Sequence, residues 1–475
     1  MKTLIVILIV GLLGTPNLCF SASIGGTQDD EQLKQRIEKL EKELNSVKQQ
    51  MADQAAKPAA EPKKPAPEPN AEKLAAPAAE KPAIKAPSVA DKKPVMSGLD
   101  VEIYGRIKLD AVYDSARVDV GNYAKWVRPD RGNNDRSQYD VTANESRIGL
   151  LINGPKNEDI KTGGRIEMDF YGGGAENKSN PMMRHAYMTV DWLSEKFGIL
   201  AGQTSDVISP LWPDTLNYSV GWWVGNIGYR RPQLRLTKEF TIDKDSSIKL
   251  EGAIARTIGR TNSGILSADQ ADTGENAGVP TFQGRISATI PMLGYKPGTI
   301  GFSGHYAKEK YDTAPSSSVP ATDNRIFDSW SLNLDYLQPI NEWLSVKGEF
   351  FTGENLDAYL GGIGQGVRNI GTASAPIYDK EIAAKGGWVQ ASLGPWGKWR
   401  FNVGVGIDDP KNDDLKGSGA SLDVRALNRS IFGNVIYAID KNAEIGFELS
   451  QWHTEYLNSN DADSIRAQTS FIYKF

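Results

Sequence analysis

The chain reads as all-β: a transmembrane antiparallel β-barrel of about 16 strands, preceded by a short N-terminal coiled coil and a Pro/Ala-rich linker. Three features predict this. From Val101 to the last residue, apolar and polar side chains alternate with a period of two in segment after segment. The connections between those segments alternate short with long. The chain then stops on I-R-A-Q-T-S-F-I-Y-K-F (465–475), in which Ile465, Ala467, Thr469, Phe471, Tyr473 and Phe475 form one face. A closed ring needs such a last strand to meet its first.

Composition bounds the alternatives. Of 475 residues, 24% are charged and 40% hydrophobic, and Gly is frequent at 47. No apolar run after residue 20 reaches the roughly 20 residues of a membrane helix. Strands that cross a membrane alternate lipid-facing with lumen-facing side chains, so their mean hydropathy is low and their signal lies in the period. A net charge of -5 without a basic patch argues against nucleic acid.

The N-terminus predicts export. Lys2 is the positive start, Leu4 to Leu13 the apolar core, and Cys19-Phe-Ser-Ala-Ser23 offers small residues for cleavage, giving a signal peptide over 1–23. Leu18 stands where lipidation of Cys19 would need a small residue. Residues 28–52 predict a periplasmic coiled coil, with Leu33, Ile37, Leu40, Leu44, Val47 and Met51 as its seam. The flanking pairs Asp29 with Lys34, Arg36 with Glu41 and Glu43 with Lys48 are opposite in sign, which favours parallel self-association. The seam leaves dimer and higher states open. Residues 53–98 are almost all Ala, Pro, Lys and Glu, a disordered spacer reaching on the order of 140 Å at ~3.1 Å per residue.

Residues 99–475 are the barrel. Val101–Asp114 alternates throughout, and the pattern returns in Arg147–Asn153, Gly164–Phe170, His185–Asp191 and Gly198–Asp206, then onward to Ala443–Trp452 and Ser464–Phe475. Short connections carry turn chemistry, as in Asp243-Lys-Asp-Ser, Pro339-Ile-Asn-Glu and Asp440-Lys-Asn-Ala. Longer Gly/Asp/Asn/Ser-rich loops lie between them, notably Ser115–Glu145, Arg260–Val279 and Glu354–Lys380. Short turns on one rim and long loops on the other are the outer-membrane arrangement. Trp192, Trp330, Trp343, Trp388, Trp396, Trp399 and Trp452 near strand ends predict an interfacial girdle.

The stretches I-Y-G-R-I-K-L-D-A-V-Y-D (103–114), S-R-I-G-L (146–150), G-R-I-E-M-D-F-Y-G (164–172), R-H-A-Y-M-T (184–189), L-A-G-Q-T (200–204), S-P-L-W-P-D-T-L-N (209–217) and Y-R-R-P-Q-L-R-L-T (229–237) resemble the DcaP-like outer-membrane porins. The aromatic C-terminus resembles the ending that outer-membrane barrels present to the barrel-assembly machinery. The resemblance implies a homotrimer in the Gram-negative outer membrane, with the coil and linker in the periplasm and small, often anionic, organic solutes passing through. It covers most of residues 101–240; beyond about 250 only the strand pattern matches.

About sixteen strands enclose a water-filled channel, so the polar phase lines it. That phase carries Arg106, Arg147, Arg165, Arg231, Arg235 and Arg285 as an anion-selecting ladder. Lys108, Lys347, Arg400 and Arg466 share their face. Rings of Arg attract anions, and a guanidinium grips a carboxylate with two hydrogen bonds. Glu167 and Asp169 are acidic counterparts that screen or hold the ladder. Asp206 and Asp214 join them if Ser205–Asn226, too apolar for a loop in water, folds into the lumen; packing at a subunit interface is the other placement. An enzymatic barrel is the alternative class, yet the three histidines (His185, His305 and His453) stand on separate strands, with no nucleophile or metal-ligand motif. No cofactor is implied. An adhesin or structural barrel tethered by its coil is the third reading.

Overall fold

Alternation becomes architecture because each strand buries one phase of its side chains and shows the other. The computed structural model describes residues 100–132, 137–155, 159–259, 273–293, 295–313, 322–372, 376–419 and 422–475. The signal peptide, coil seam and linker expected from the sequence lie outside them. In chain order the strands are β1 (Asp100–Asp114), β2 (Gln138–Thr142 continued by Arg147–Asn153), β3 (Ile160–Asp169), β4 (Met182–Trp192), β5 (Phe197–Ser205), β6 (Arg230–Thr241), β7 (Ser247–Ala255) and β8 (Thr281–Ile290). There follow β9 (Gly298–Thr313), β10 (Thr322–Pro339), β11 (Leu344–Glu354), β12 (Ala383–Trp396), β13 (Trp399–Pro410), β14 (Arg425–Ala438), β15 (Ala443–Tyr456) and β16 (Ala462–Lys474).

Every strand pairs antiparallel with its sequence neighbour, and β16 returns to β1 in a register running from Arg106↔Lys474 to Asp114↔Arg466. The ring is closed with sixteen strands, because the two segments of β2 pair in succession along β1 and count as one. Closure abolishes the free edge that an open sheet would leave. At the end of the chain, Gly105 N–H donates to Phe475 O at 3.0 Å and Phe475 N–H to Gly105 O at 3.1 Å.

The short turns follow their sequence chemistry. Asn341 Oδ1 accepts from the N–H of Trp343 and Leu344 (3.0 and 2.9 Å), and Asp440 Oδ1 from Asn442 and Ala443 (2.7 and 2.8 Å). Those two N–H groups hold the Asp440 carboxyl below its ordinary value. The long connections share the opposite rim. One holds a small hairpin, Val118–Val120 with Ala124–Val127, and the upper part of β2; both were expected as loop. Trp343, Trp396 and Trp399 are exposed on the outer face as a girdle would be, whereas Trp388 and Trp452 are buried. They belong to the inward phase, where Trp388 donates to Glu349 at 3.1 Å and Trp452 packs on the hairpin.

Candidate channel lumen and its constriction

On β1 the even residues Lys108, Asp110 and Asp114 are buried inside, while Ile103, Ile107 and Leu109 are exposed outside. The wall is therefore apolar toward lipid and polar toward the lumen.

Residues 206–229, between β5 and β6, cross that lumen. Near its start Asp206 binds Arg231 (2.7 Å) and accepts from Gln283 (2.6 Å). The backbone then meets acceptors on the far wall: Leu211 N–H donates to Glu349 and Asp214 N–H to Gln390, both at 2.6 Å. Glu448 takes the Thr215 hydroxyl at 2.6 Å and the Leu216 N–H at 2.7 Å. Leu216 O accepts from Lys108 and Gln468, each at 2.8 Å. Strands β1, β6, β8, β11, β12, β15 and β16 thus all hold one loop. Its apolar residues Val207, Ile208, Leu216 and Trp222 are buried. Of the two placements open from sequence, the loop takes the lumen.

Fitting a connection this closely strains it. Ser209, Val220 and Trp223 have φ of 45, 44 and 65°, a region that costs non-glycine residues of order 1–3 kcal/mol each. Gly225, at φ 112°, lies so close to the Gly387 carbonyl that a Cβ would collide with it.

The ladder residues face the lumen in two different conditions. Arg106 and Arg147 stand directly opposite each other on β1 and β2, and like charges in that position repel. Arg106 pairs with Glu145, Arg147 approaches Glu167 at 3.4 Å, and Arg165 pairs with the same Glu167. The three side chains keep 27, 20 and 29% of their surface open, while Glu145 keeps 9% and Glu167 1%. Arg231, by contrast, is enclosed on Asp206 and over the Tyr359 ring at 4.0 Å. Arg285 grips Asp335 with two bonds (3.0 and 2.7 Å) and touches Glu251. Arg235 bonds Gln233 and Ser205 O, with no carboxylate in ion-pair range among the described residues. Asp214 meets Lys347 of β11 at 2.8 Å rather than the ladder, and Asp169 meets Arg184 at 2.5 Å. Arg466 is buried on Asp114 at 2.8 Å, and Arg400 meets Glu444 at 2.7 Å.

Residues 78–237 match the DcaP outer membrane protein family. Over that stretch the chain resembles this family. The crystal structure of the outer membrane channel DcaP of Acinetobacter baumannii superposes with a TM-score of 0.61 at 18% identity, covering 80% of this chain and 98% of that one. Pseudomonas putida OprB at high pH gives 0.50 at 10% identity, over 80% and 94% of the two chains. No curated protein matches. At these identities the solved structures show the fold, and the barrel with its match to an outer-membrane family over residues 78–237 resides in the outer membrane.

Sequence reasoning missed three groups in this lumen. Tyr104 donates to Glu167 at 2.8 Å and accepts from Arg165 Nε at 2.5 Å; its place in the phase of Arg106 was a usable signal. Arg184 binds Glu167 at 2.8 Å, but a register shift between Glu167 and Met168 breaks the period and turns it inward beside His185. Glu145 sits in the interruption of β2, which carries no periodic signal at all.

Proposed function

We propose that this barrel is a porin for passive diffusion of small hydrophilic solutes, with preference for anionic organic solutes such as dicarboxylates. One observation carries the reading: the lumen water meets the guanidinium groups of Arg106, Arg147 and Arg165, and the carboxylates that pair with them lie buried behind. Cations in front and anions behind make a wall whose near field is positive, and a water-filled pore with low-dielectric walls focuses it. Guanidinium donors suit carboxylates better than halide, because two parallel hydrogen bonds form. A carboxylate held between Arg106 and Arg147 also relieves their mutual repulsion. The DcaP of Acinetobacter baumannii is described as an outer membrane channel, which favours a channel over an enzyme here. A homotrimer is part of the proposal, with small anionic solutes and outer-membrane lipids as its other partners and the assembly machinery acting on the C-terminal strand.

Reversal potentials in a salt gradient test the charge preference. Wild type is expected to favour anions, and Arg147→Glu to move the potential toward cation preference while the channel still conducts. Cation preference in the wild type overturns the reading. Liposome swelling with dicarboxylates, sugars and amino acids then ranks the solutes.

A further inference from the structure

Every lumen arginine described so far has an acceptor. Arg106, Arg147, Arg165, Arg231 and Arg285 face carboxylates, and Arg235 bonds Gln233 and a backbone carbonyl. Arg230 breaks this pattern. It is the first residue of β6, directly after the crossing loop, and only 2% of its surface is exposed. Neither of its terminal nitrogens, Nη1 and Nη2, has a hydrogen-bond partner among the described residues. A guanidinium taken out of water costs free energy until its charge and its N–H groups meet an acceptor.

The surroundings of Arg230 supply no such acceptor. The Tyr229 ring lies 4.6 Å from its guanidinium carbon and the Trp222 ring 5.7 Å. Ring faces attract the cation but offer its N–H groups no lone pair in the manner of an oxygen. The carboxylates of this part of the wall are taken. Glu167 and Asp169 bind Arg184, and Asp206 binds Arg231 and the Tyr229 N–H. The charges of Arg165, Arg184 and Arg230 all act on His185, so Arg230 continues the row of guanidiniums that begins in the open lumen and ends under the loop.

We propose that Arg230 is a solute-binding subsite, taking one carboxylate group of the solute on Nη1 and Nη2. Two parallel hydrogen bonds from the end of the guanidinium match the two carboxylate oxygens. The walls of Trp222 and Tyr229 keep water away, which strengthens the pair. The subsite rests on the anion-conducting channel proposed above and adds a second stage to it. Open guanidiniums at Arg106, Arg147 and Arg165 attract anions, whereas the enclosed one holds them, so that passage of carboxylates saturates. Both nitrogens are enclosed, so a carboxylate enters as a side chain of the loop turns aside. Tyr218 and Tyr229, the partly exposed rings beside Arg230, are that cover.

The test uses the full chain in planar bilayers, with succinate as the probe in a chloride background. Wild type is expected to show a saturable fall in chloride conductance as succinate is added. Arg230→Gln is expected to need about tenfold more succinate for the same fall. Its anion preference in a chloride gradient stays that of wild type, because Arg106, Arg147 and Arg165 are intact. Arg230→Lys, charged but without the fork, is expected to fall between the two. Since Arg230→Gln removes no internal hydrogen bond of the Nη atoms, its folded form should resist heat as well as wild type does in a gel-shift assay. Equal action of succinate on wild type and Arg230→Gln overturns the subsite, as does an absence of saturation in wild type. A barrel destabilised by Arg230→Gln assigns the residue to structure and overturns it too. Cation preference in the wild type overturns instead the channel reading on which the subsite rests.

Discussion

Arg147 and Arg231 are both lumen-facing guanidiniums, and their surroundings give them opposite tasks. Arg231 is buried on Asp206 beneath the crossing loop. Removing it leaves a buried carboxylate without its cation, so Arg231→Ala is expected to destabilise the barrel by about 3–5 kcal/mol. Arg147 keeps part of its surface in the lumen and shares Glu167 with Arg165 and Arg184. Arg147→Ala is expected to cost at most about 1 kcal/mol while reducing anion preference. Heat-modifiable gel mobility in detergent separates the two on stability, and reversal potential separates them on selectivity; equal stability loss in both variants would remove the distinction. The inward phase of both residues is legible in the alternation of their strands. Which one stays in water is not, because the partner of Arg231 comes from a loop that passes over it.

At the scale of elements, the crossing loop is positioned by the far wall. Glu448 holds the Leu216 N–H and the Thr215 hydroxyl, and also accepts from Asn434 at 2.9 Å. Glu448→Ala orphans these donors at roughly 1–3 kcal/mol each and frees the middle of the loop. The expected outcome in planar bilayers is a larger and noisier single-channel conductance; an unchanged trace means the other ties suffice. The loop's excess of apolar residues was visible in the sequence, but its destination depends on Glu349, Gln390 and Glu448, which stand on three other strands. The upper segment of β2 was hidden for a related reason: five residues inside a long polar connection have little period, and only pairing with β1 makes them a strand. The turn at Asp440 gives a prediction in pH. Its carboxyl is held below the ordinary value, so its contribution is present above the unfolded-state value and is lost as pH falls through the lowered one. Wild type should therefore lose stability on acidification more than Asp440→Asn does, as read by unfolding temperature against pH.

For the whole molecule, closure is the controlling event. The last residue bonds Gly105 in both directions, and Phe475 lies where a side chain on Gly105 would collide with it. Deleting Phe475 is expected to lower the yield of the heat-modifiable folded form, measured by gel shift after refolding in detergent. Deleting residues 24–98 is expected to leave conduction intact, since the ring closes without them; loss of all conductance in bilayers would move function into the coil and spacer. What the sequence determined by itself is the kind of object: strand number, the inward and outward phases, the rim that holds the turns, and the resemblance that places it in an outer membrane. These follow from a period of two and local turn chemistry, which act over a few residues. The tertiary structure alone decided which lumen arginines remain open and where the apolar loop goes. Each depends on residues far apart in the chain, joined only when the ring closes.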